Sequence, residues 1–403
     1  MPRTLRILLL FLFTFVALRA DPSRATSIYS MVFVGERLES GDARAIALGG
    51  STQLFTDSLA VLHMNPALLS RVPRVTIGAT QYAAVDQGRS SDYTERDVSV
   101  VFSGFRLLVP IVAGVRLSVG YIGRFNPDGS FAIRGVTDGG EAYTNTLTKA
   151  GGIYSVPFTA AFDVTRYASL GLTFSLEQGT VEEEYVVNFE NRSIVDGAGI
   201  KKEDLGGTGF GGGLVLRPYG GLTIGAMYES KVDYDTDVQE RFSQAALDTF
   251  YSSSVTLPSR TNVGISWRIR DRFLVLASAA WSDFRDSAGL GFPTSRLGEE
   301  RSYAFGFEYA PGIRVKSIRL PIRVSFSFHE LPFDHPQGQN VSKYLVGLGT
   351  GIAVAGGKGK LDLAIRAGKI GSLGDNRVED RLIRIYVGLS GSELWKRKGG
   401  RTY

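Results

Sequence analysis

From about Arg74 onward the chain alternates apolar and polar residues with a period of two, as strands with one apolar face do. In residues 319–328 one face carries Leu320, Ile322, Val324, Phe326 and Phe328, and the other Arg319, Pro321, Arg323, Ser325 and Ser327. A helix would mix the two sets. The same split separates Val263, Ile265, Trp267 and Ile269 from Asn262, Gly264, Ser266 and Arg268. It also separates Ile383, Ile385, Val387 and Leu389 from Leu382, Arg384, Tyr386 and Gly388. Fourteen such segments can be marked, at about 74–84, 96–109, 111–125, 151–164, 167–190, 206–218, 220–236, 254–270, 272–286, 299–311, 317–331, 341–356, 359–371 and 379–391.

Their connections alternate in length. Residues 85–95, 126–150, 191–205, 237–253 and 287–298 are long; Pro110, Thr165-Arg166, Tyr219, Asp271, Gly312 and Gly357-Lys358 mark short turns. An even strand number with loops sorted by parity predicts an all-β fold: a 14-stranded antiparallel transmembrane β-barrel with tight turns on the periplasmic rim and longer loops outside. A soluble sandwich has no reason to sort its loops in this way. Aromatic residues near strand ends, among them Phe105, Tyr121, Phe125, Phe162, Trp281, Phe284, Tyr309, Tyr386 and Trp395, suit interfacial girdles.

The start of the chain fits this location. Residues 1–20 hold two arginines, an apolar run from Ile7 to Leu18, then Arg19 and Ala20, the layout of a secretory signal peptide. No later apolar stretch is long enough to cross a membrane as a helix. The expected organisation is a signal peptide at 1–20, an N-terminal hatch at 21–73, a barrel at 74–395 and a basic tail at 396–403. The absence of cysteine rules out disulfides, thiolate metal sites and a lipidated cysteine. With the leader removed, 42 cations face 40 anions, which gives no electrostatic reason to expect nucleic acid.

Residues 21–73 lack the alternation. Gly49 and Gly50 close a small-residue segment and can adopt positive φ; Asp57 can cap a short helix over 58–62; Asn65 can cap another, with Pro66 at its first position and Ala67 following. A fourteen-strand lumen is too wide for its own side chains to fill, so this segment is the expected plug.

The stretch from Gly41 to Leu69, with Gly49-Gly50, Asp57-Ser58 and Asn65-Pro66-Ala67 ahead of the first strand, resembles the N-terminal hatch of FadL-type outer-membrane transporters. Leu257-Pro258, Asn262-Val263-Gly264, Trp281-Ser282-Asp283-Phe284, Gly306-Phe307-Glu308-Tyr309 and Val387-Gly388-Leu389 look like that superfamily's barrel. The resemblance implies a non-enzymatic barrel in the outer membrane of a diderm bacterium, inserted by the barrel-assembly machinery and bathed in outer-membrane lipid. It implies passive uptake of a hydrophobic small molecule such as a long-chain fatty acid, with Phe55, Leu59, Leu62 and Met64 as candidate ligand-lining residues. The PorV-like branch of type IX secretion has the same fold and handles secreted proteins, which is the alternative. Residues 126–150 are too polar for an apolar capture groove, and only 239–251 could form an apolar lip or a helical cap.

Other chemistry is weakly represented. Gly207 to Gly212 matches a dinucleotide glycine pattern but leads into a strand rather than the helix that a phosphate site requires. Ser327, His329, Glu330 and Asp334 are close in sequence, but neighbours on a strand point to opposite faces, and a loop histidine is the expected reading. No cofactor or metal motif is present. The inward charges Arg116, Arg268, Arg323, Arg366 and Arg384, with Asp362, are expected to pair with hatch acids such as Glu36, Glu39, Asp42 or Asp57.

Overall fold

Strands that cross a bilayer must pair every backbone N–H and C=O among themselves, and here they do so by closing a ring. The computed structural model describes residues 27–39, 41–50, 54, 59–62, 64–90, 94–112, 114–191, 193–243, 248–285, 287, 297–316, 318–334 and 340–394. Its strands are β1 (Glu36–Arg37), β2 (Val75–Ser90), β3 (Thr94–Val112), β4 (Val115–Asn126), β5 (Gly129–Val136), β6 (Ala142–Asp163), β7 (Ala168–Phe189), β8 (Gly197–Leu216) and β9 (Leu222–Glu229). They continue as β10 (Val232–Phe242), β11 (Thr249–Leu257), β12 (Arg260–Ile269), β13 (Phe273–Asp283), β14 (Glu299–Val315), β15 (Ile318–Asp334), β16 (Asn340–Val354), β17 (Gly359–Ser372) and β18 (Val378–Glu393). β18 pairs with β2 along its length and closes the sheet. Three staves are interrupted once, as β4/β5, β9/β10 and β11/β12, so β2–β18 form fourteen antiparallel staves.

The outward faces carry an apolar band. On β7 it runs through Leu170, Leu172, Phe174 and Leu176, all exposed, and gives way to Gln178, Thr180, Glu182 and Glu184. A crossing needs only about 9–11 residues, so the 22-residue strands β6 and β7 project well past the lipid on the outer side. Most inward positions are buried and mix small, polar and charged residues with apolar ones such as Leu108, Ile153 and Leu276 that pack on the N-terminal segment.

Several sequence expectations change in detail. Pro110 and Gly312 lie inside β3 and β14, and the turns come later, at Gly114 and Lys316. Residues 126–150 are a hairpin of β5 and β6, 191–205 mostly belong to β8, and 237–253 extend β10 and β11. The length difference expected in the loops is therefore partly taken up by longer strands. Residues 239–251 are not a helical cap: their described part is strand, with Phe242, Phe250 and Tyr251 exposed. Phe125, Phe284 and Tyr386 are buried inside the barrel rather than in a girdle.

The N-terminal segment threads the lumen from the outer rim to the inner one. Tyr29 bonds the Val378 carbonyl at the outer end (2.7 Å), and Arg71 bonds the Arg166 carbonyl at the short-turn end (2.9 Å). Between them lie α1 (Ala43–Ala47), capped by Asp42, and a 3-10 turn over Pro66–Arg71, whose first amide is received by Asn65 Oδ1. The Asn65-Pro66 start is as the sequence suggests, whereas residues 59–62 are irregular. Gly49 and Gly50 take φ of 106° and 75°, and a Cβ at Gly49 would stand 2.9 Å from that of Ala304.

Leu348 sits at mid-height of the apolar band, 54% exposed, and Tyr344 at its outer margin. Leu348→Arg is expected to lower the unfolding free energy by about 2–4 kcal/mol and Tyr344→Arg by about 0–1. Urea titration in lipid vesicles, followed by heat-modifiable gel migration, reads both.

Candidate functional site

The inward charges and the N-terminal segment interlock in three groups. At mid-lumen Arg44, on α1, bonds both oxygens of Glu308 (2.8 and 2.6 Å); Glu308 also receives Arg323 (2.8 Å), which reaches Asp362 (2.7 Å) and the Thr350 carbonyl (2.8 Å). Nearer the outer rim Glu36 is held by Arg384 (3.0 and 2.5 Å) and by Lys343, while Glu39 pairs with Arg366 (2.5 Å) and accepts from the Tyr386 hydroxyl (2.8 Å). On the opposite wall Arg37 faces Glu300 (3.5 Å), which Arg260 also bonds (2.7 Å). Arg124 pairs with Glu229 (2.5 Å), and Lys149 donates to the Phe33 carbonyl (2.8 Å).

Burial alone would raise the Glu39 carboxyl; Arg366, Lys343 and Arg384 outweigh it and hold the group at about 2. Burial works the same way on Glu36, and Arg384 and Lys343 hold its carboxyl lower still. For Arg37 burial prevails over Glu300 and brings the guanidinium down to about 10.

Above this charged layer lies a cavity of about 100 Å³. Phe33, Phe284, Leu297, Leu331 and Phe333 supply apolar walls, and Glu36, Arg37, Glu39, Arg260, Glu300 and Lys343 supply the polar ones. Phe33 holds φ of 53°, a conformation bulky residues avoid, and its ring meets Phe284 edge-on at 6.4 Å. His329 lines the same cavity, with Nε2 3.1 Å from Ser327 Oγ, which Arg366 also contacts. His329 is thus a residue of β15 rather than of a loop.

The wall beside the cavity has a seam. β3 pairs with β4 only as far as Gly104–Ile122, and above that point it pairs with β2 alone. The stave of β4 breaks at Pro127-Asp128, and β5 continues against β6. β1 occupies the edge that β3 has left, with Glu36 opposite Asn126, Arg37 opposite Phe125, and the Leu38 amide on the Arg124 carbonyl (2.9 Å). Gly35, at φ 102°, is required there, because a Cβ would lie 2.5 Å from the Asn126 carbonyl carbon.

Of the charges singled out in the sequence, Arg323, Arg366, Arg384 and Asp362 fall in these groups. Arg116 instead donates to the Val72 carbonyl (2.8 Å). Arg268 is half-buried at the short-turn end and makes no ion pair with a described residue. Asp42 caps α1. Leu59 and Leu62 line a small cleft near the inner rim, Met64 borders the outer cavity, and Leu62 and Met64 together line a second cavity of about 70 Å³ beside Arg106 and Arg124; neither leucine reaches the outer cavity. Phe55 and Asp57 lie outside the described residues. The glycines of 207–212 are in β8, with no helix after them. Sequence reasoning missed Arg44, Glu308, Glu300 and Arg260 and the apolar residues Phe33, Phe284 and Phe333. Glu308 and Arg260 sit at inward positions of alternating strands, so the parity that marked Arg323 would have marked them too.

The sequence matches the BamG family over residues 1–399. Comparison with curated protein sequences finds no match. Among solved structures, a Pseudomonas aeruginosa FadL homologue superposes with a TM-score of 0.61 at 12% identity, covering 88% of this chain and 99% of that one. The Ralstonia pickettii toluene transporter TbuX gives 0.59 at 15%, covering 88% and 99%, and the CymD monoaromatic hydrocarbon channel 0.58 at 14%, covering 88% and 98%. At these identities the likeness establishes the fold.

Arg323→Met leaves Glu308 and Asp362 short of a buried cation and is expected to cost about 3–5 kcal/mol of unfolding free energy. Arg268→Met, outside the network, should stay within about 0.5 kcal/mol in the same urea titration. A carboxyl held low stabilises the fold above its ordinary pKa of 4.5 and loses that contribution as pH falls toward about 2. The difference in unfolding midpoint between wild type and Glu39→Gln should therefore be constant above roughly pH 5 and shrink below it.

Proposed function

We propose that this chain, which belongs to the BamG family and is a multi-pass barrel of the outer membrane, admits compact hydrophobic molecules passively through the cavity beneath its outer rim. The observation that carries this reading is an apolar-walled cavity lying against the one stave seam that the N-terminal segment closes. In this reading residues 1–20 direct export, 21–73 act as the hatch, and 396–403 are a tail beyond the barrel.

Size bears on the substrate. A wholly apolar cavity of about 150 Å³ accepts benzene; this one is smaller, at about 100 Å³, and sets apolar walls over a charged floor. A single-ring hydrocarbon fits after small side-chain shifts, whereas a long acyl chain would have to displace the N-terminal segment. The names of the similar channels, which refer to toluene and monoaromatic hydrocarbons, point the same way. Exit straight down would break several buried ion pairs at about 3–5 kcal/mol each. Exit sideways needs β1 to leave the β4 edge, where it makes two residue pairings, and shifts the Glu36 and Arg37 ion pairs, but it leaves Arg44–Glu308 and Glu39–Arg366 in place.

A second reading has its own support. The name BamG hints at the barrel-assembly machinery, and the wall formed by β6, β7, β8, β10 and β11 projects past the lipid band. A protein partner, whether of that machinery or a secreted protein, would dock there, and the barrel would act as a scaffold.

The chain has no cysteine, so the pair Arg37→Cys with Phe125→Cys gives an unambiguous lock between β1 and β4. Oxidised cells should lose uptake of radiolabelled toluene and regain it on reduction. Unchanged uptake in locked cells would sink the lateral route. No uptake by the unlocked chain, together with co-purifying assembly proteins, would favour the scaffold.

A further inference from the structure

A second site lies on the outside of the barrel. One row of paired positions runs around the outer margin of the apolar band: Tyr303, Phe328, Tyr344, Lys369, Arg381, Gln87 and Arg96, on β14, β15, β16, β17, β18, β2 and β3. The first three form an aromatic girdle, with ring centroids 6.4 and 5.0 Å apart. The row then becomes cationic. One step higher on the same face, Arg89 stands opposite Glu379. Glu379 bonds Arg381 (2.9 Å) and approaches Lys369 (3.6 Å). Arg89 and Arg96 make no ion pair with a described residue. Among the described side chains, four cations thus share one carboxylate.

The surplus is particular to this sector. Elsewhere along the outer margin outward cations have their own carboxylates: Arg301 with Glu299 (2.6 Å), Arg285 with Asp283 (2.5 Å), Lys202 with Asp204 (3.0 Å) and Lys231 with Asp233 (3.0 Å). Directly below the four cations the outward face is Val98, Val85, Ile383 and Ala367, then Val100, Ala83, Ile385 and Ile365. Val98 is 58% exposed and Ile383 48%. The small side chain of Ala83 lies between the larger ones of Val100 and Ile385, so the apolar face dips at that row.

We propose that Arg89, Arg96, Lys369 and Arg381 bind the phosphate of an acylated glycolipid in the outer leaflet, with its acyl chains against the apolar face directly below them. Basic clusters at the membrane margin attract anionic headgroups, and guanidinium groups match phosphate oxygens in pairs. A soluble phosphate would gain the charge contacts but not the apolar ones, so the lipid is the occupant that fits both. This site is independent of the luminal cavity.

The test uses the full-length protein in detergent micelles doped with a phosphorylated lipid A or its dephosphorylated form, with native mass spectrometry counting bound lipid. Wild type should retain the phosphorylated lipid. The variant with all four cations changed to Ser should bind it roughly a thousandfold more weakly. Arg285→Ser/Arg301→Ser should match wild type. Arg96→Ser and Lys369→Ser, each made alone, should give partial losses, which preserves the test if the fourfold variant does not fold. Equal retention by the fourfold or both single variants, equal binding of the dephosphorylated lipid, or displacement by millimolar inorganic phosphate would each overturn the proposal.

Discussion

Everything in this molecule follows from the need to close a hydrogen-bonded sheet in lipid. Closure forces strict alternation, and alternation sends every second side chain to a lumen too wide to be filled by them. Charges in that position are stable only when paired. The N-terminal segment provides the partners: Glu36, Glu39, Arg37 and Arg44 each meet a wall residue of opposite sign. The wall and its filling are therefore one electrostatic unit, and neither satisfies its charges without the other.

This interlock also limits what can move. The groups around Glu308 and Glu36 fix the segment at mid-lumen and near the outer rim, and the Asn65 and Ser266 bonds (3.2 Å to the Ala226 carbonyl, 2.6 Å to the Leu54 carbonyl) fix it lower down. At the broken stave β1 supplies two residue pairings in place of a missing strand, and its Glu36 and Arg37 also hold ion pairs to the wall. The cavity and the seam meet at that point. A sideways route disturbs the pairs of β1 alone and leaves Arg44–Glu308 and Glu39–Arg366 in place, which is why it is favoured over movement of the whole plug.

The barrel was legible because alternation is a property of each residue and its neighbours. The inward arginines were legible for the same reason, and the pairing of Arg384 with Glu36 and Arg366 with Glu39 joins residues that sequence reading had placed on opposite sides of one interface. Turn positions were less so: Pro110 and Gly312 are typical turn residues that the sheet accommodates within irregular register. The outer ends of β6, β8, β10 and β11 were read as loops, because above the lipid both faces of a strand are polar and the alternation that identifies a strand weakens, whereas β7 was marked over its whole length. The cavity could not be read at all. Its walls combine Phe33, Phe284 and Phe333 from distant parts of the chain, and Phe284 in sequence looks like one more interfacial aromatic.

The central claim is that the cavity receives a compact hydrophobe. The most direct measurement is anomalous diffraction from crystals soaked in bromobenzene. The account predicts a bromine peak between Phe33, Phe284 and Phe333. A barrel that binds bromine only on its lipid-facing surface, with nothing in the cavity, would contradict it.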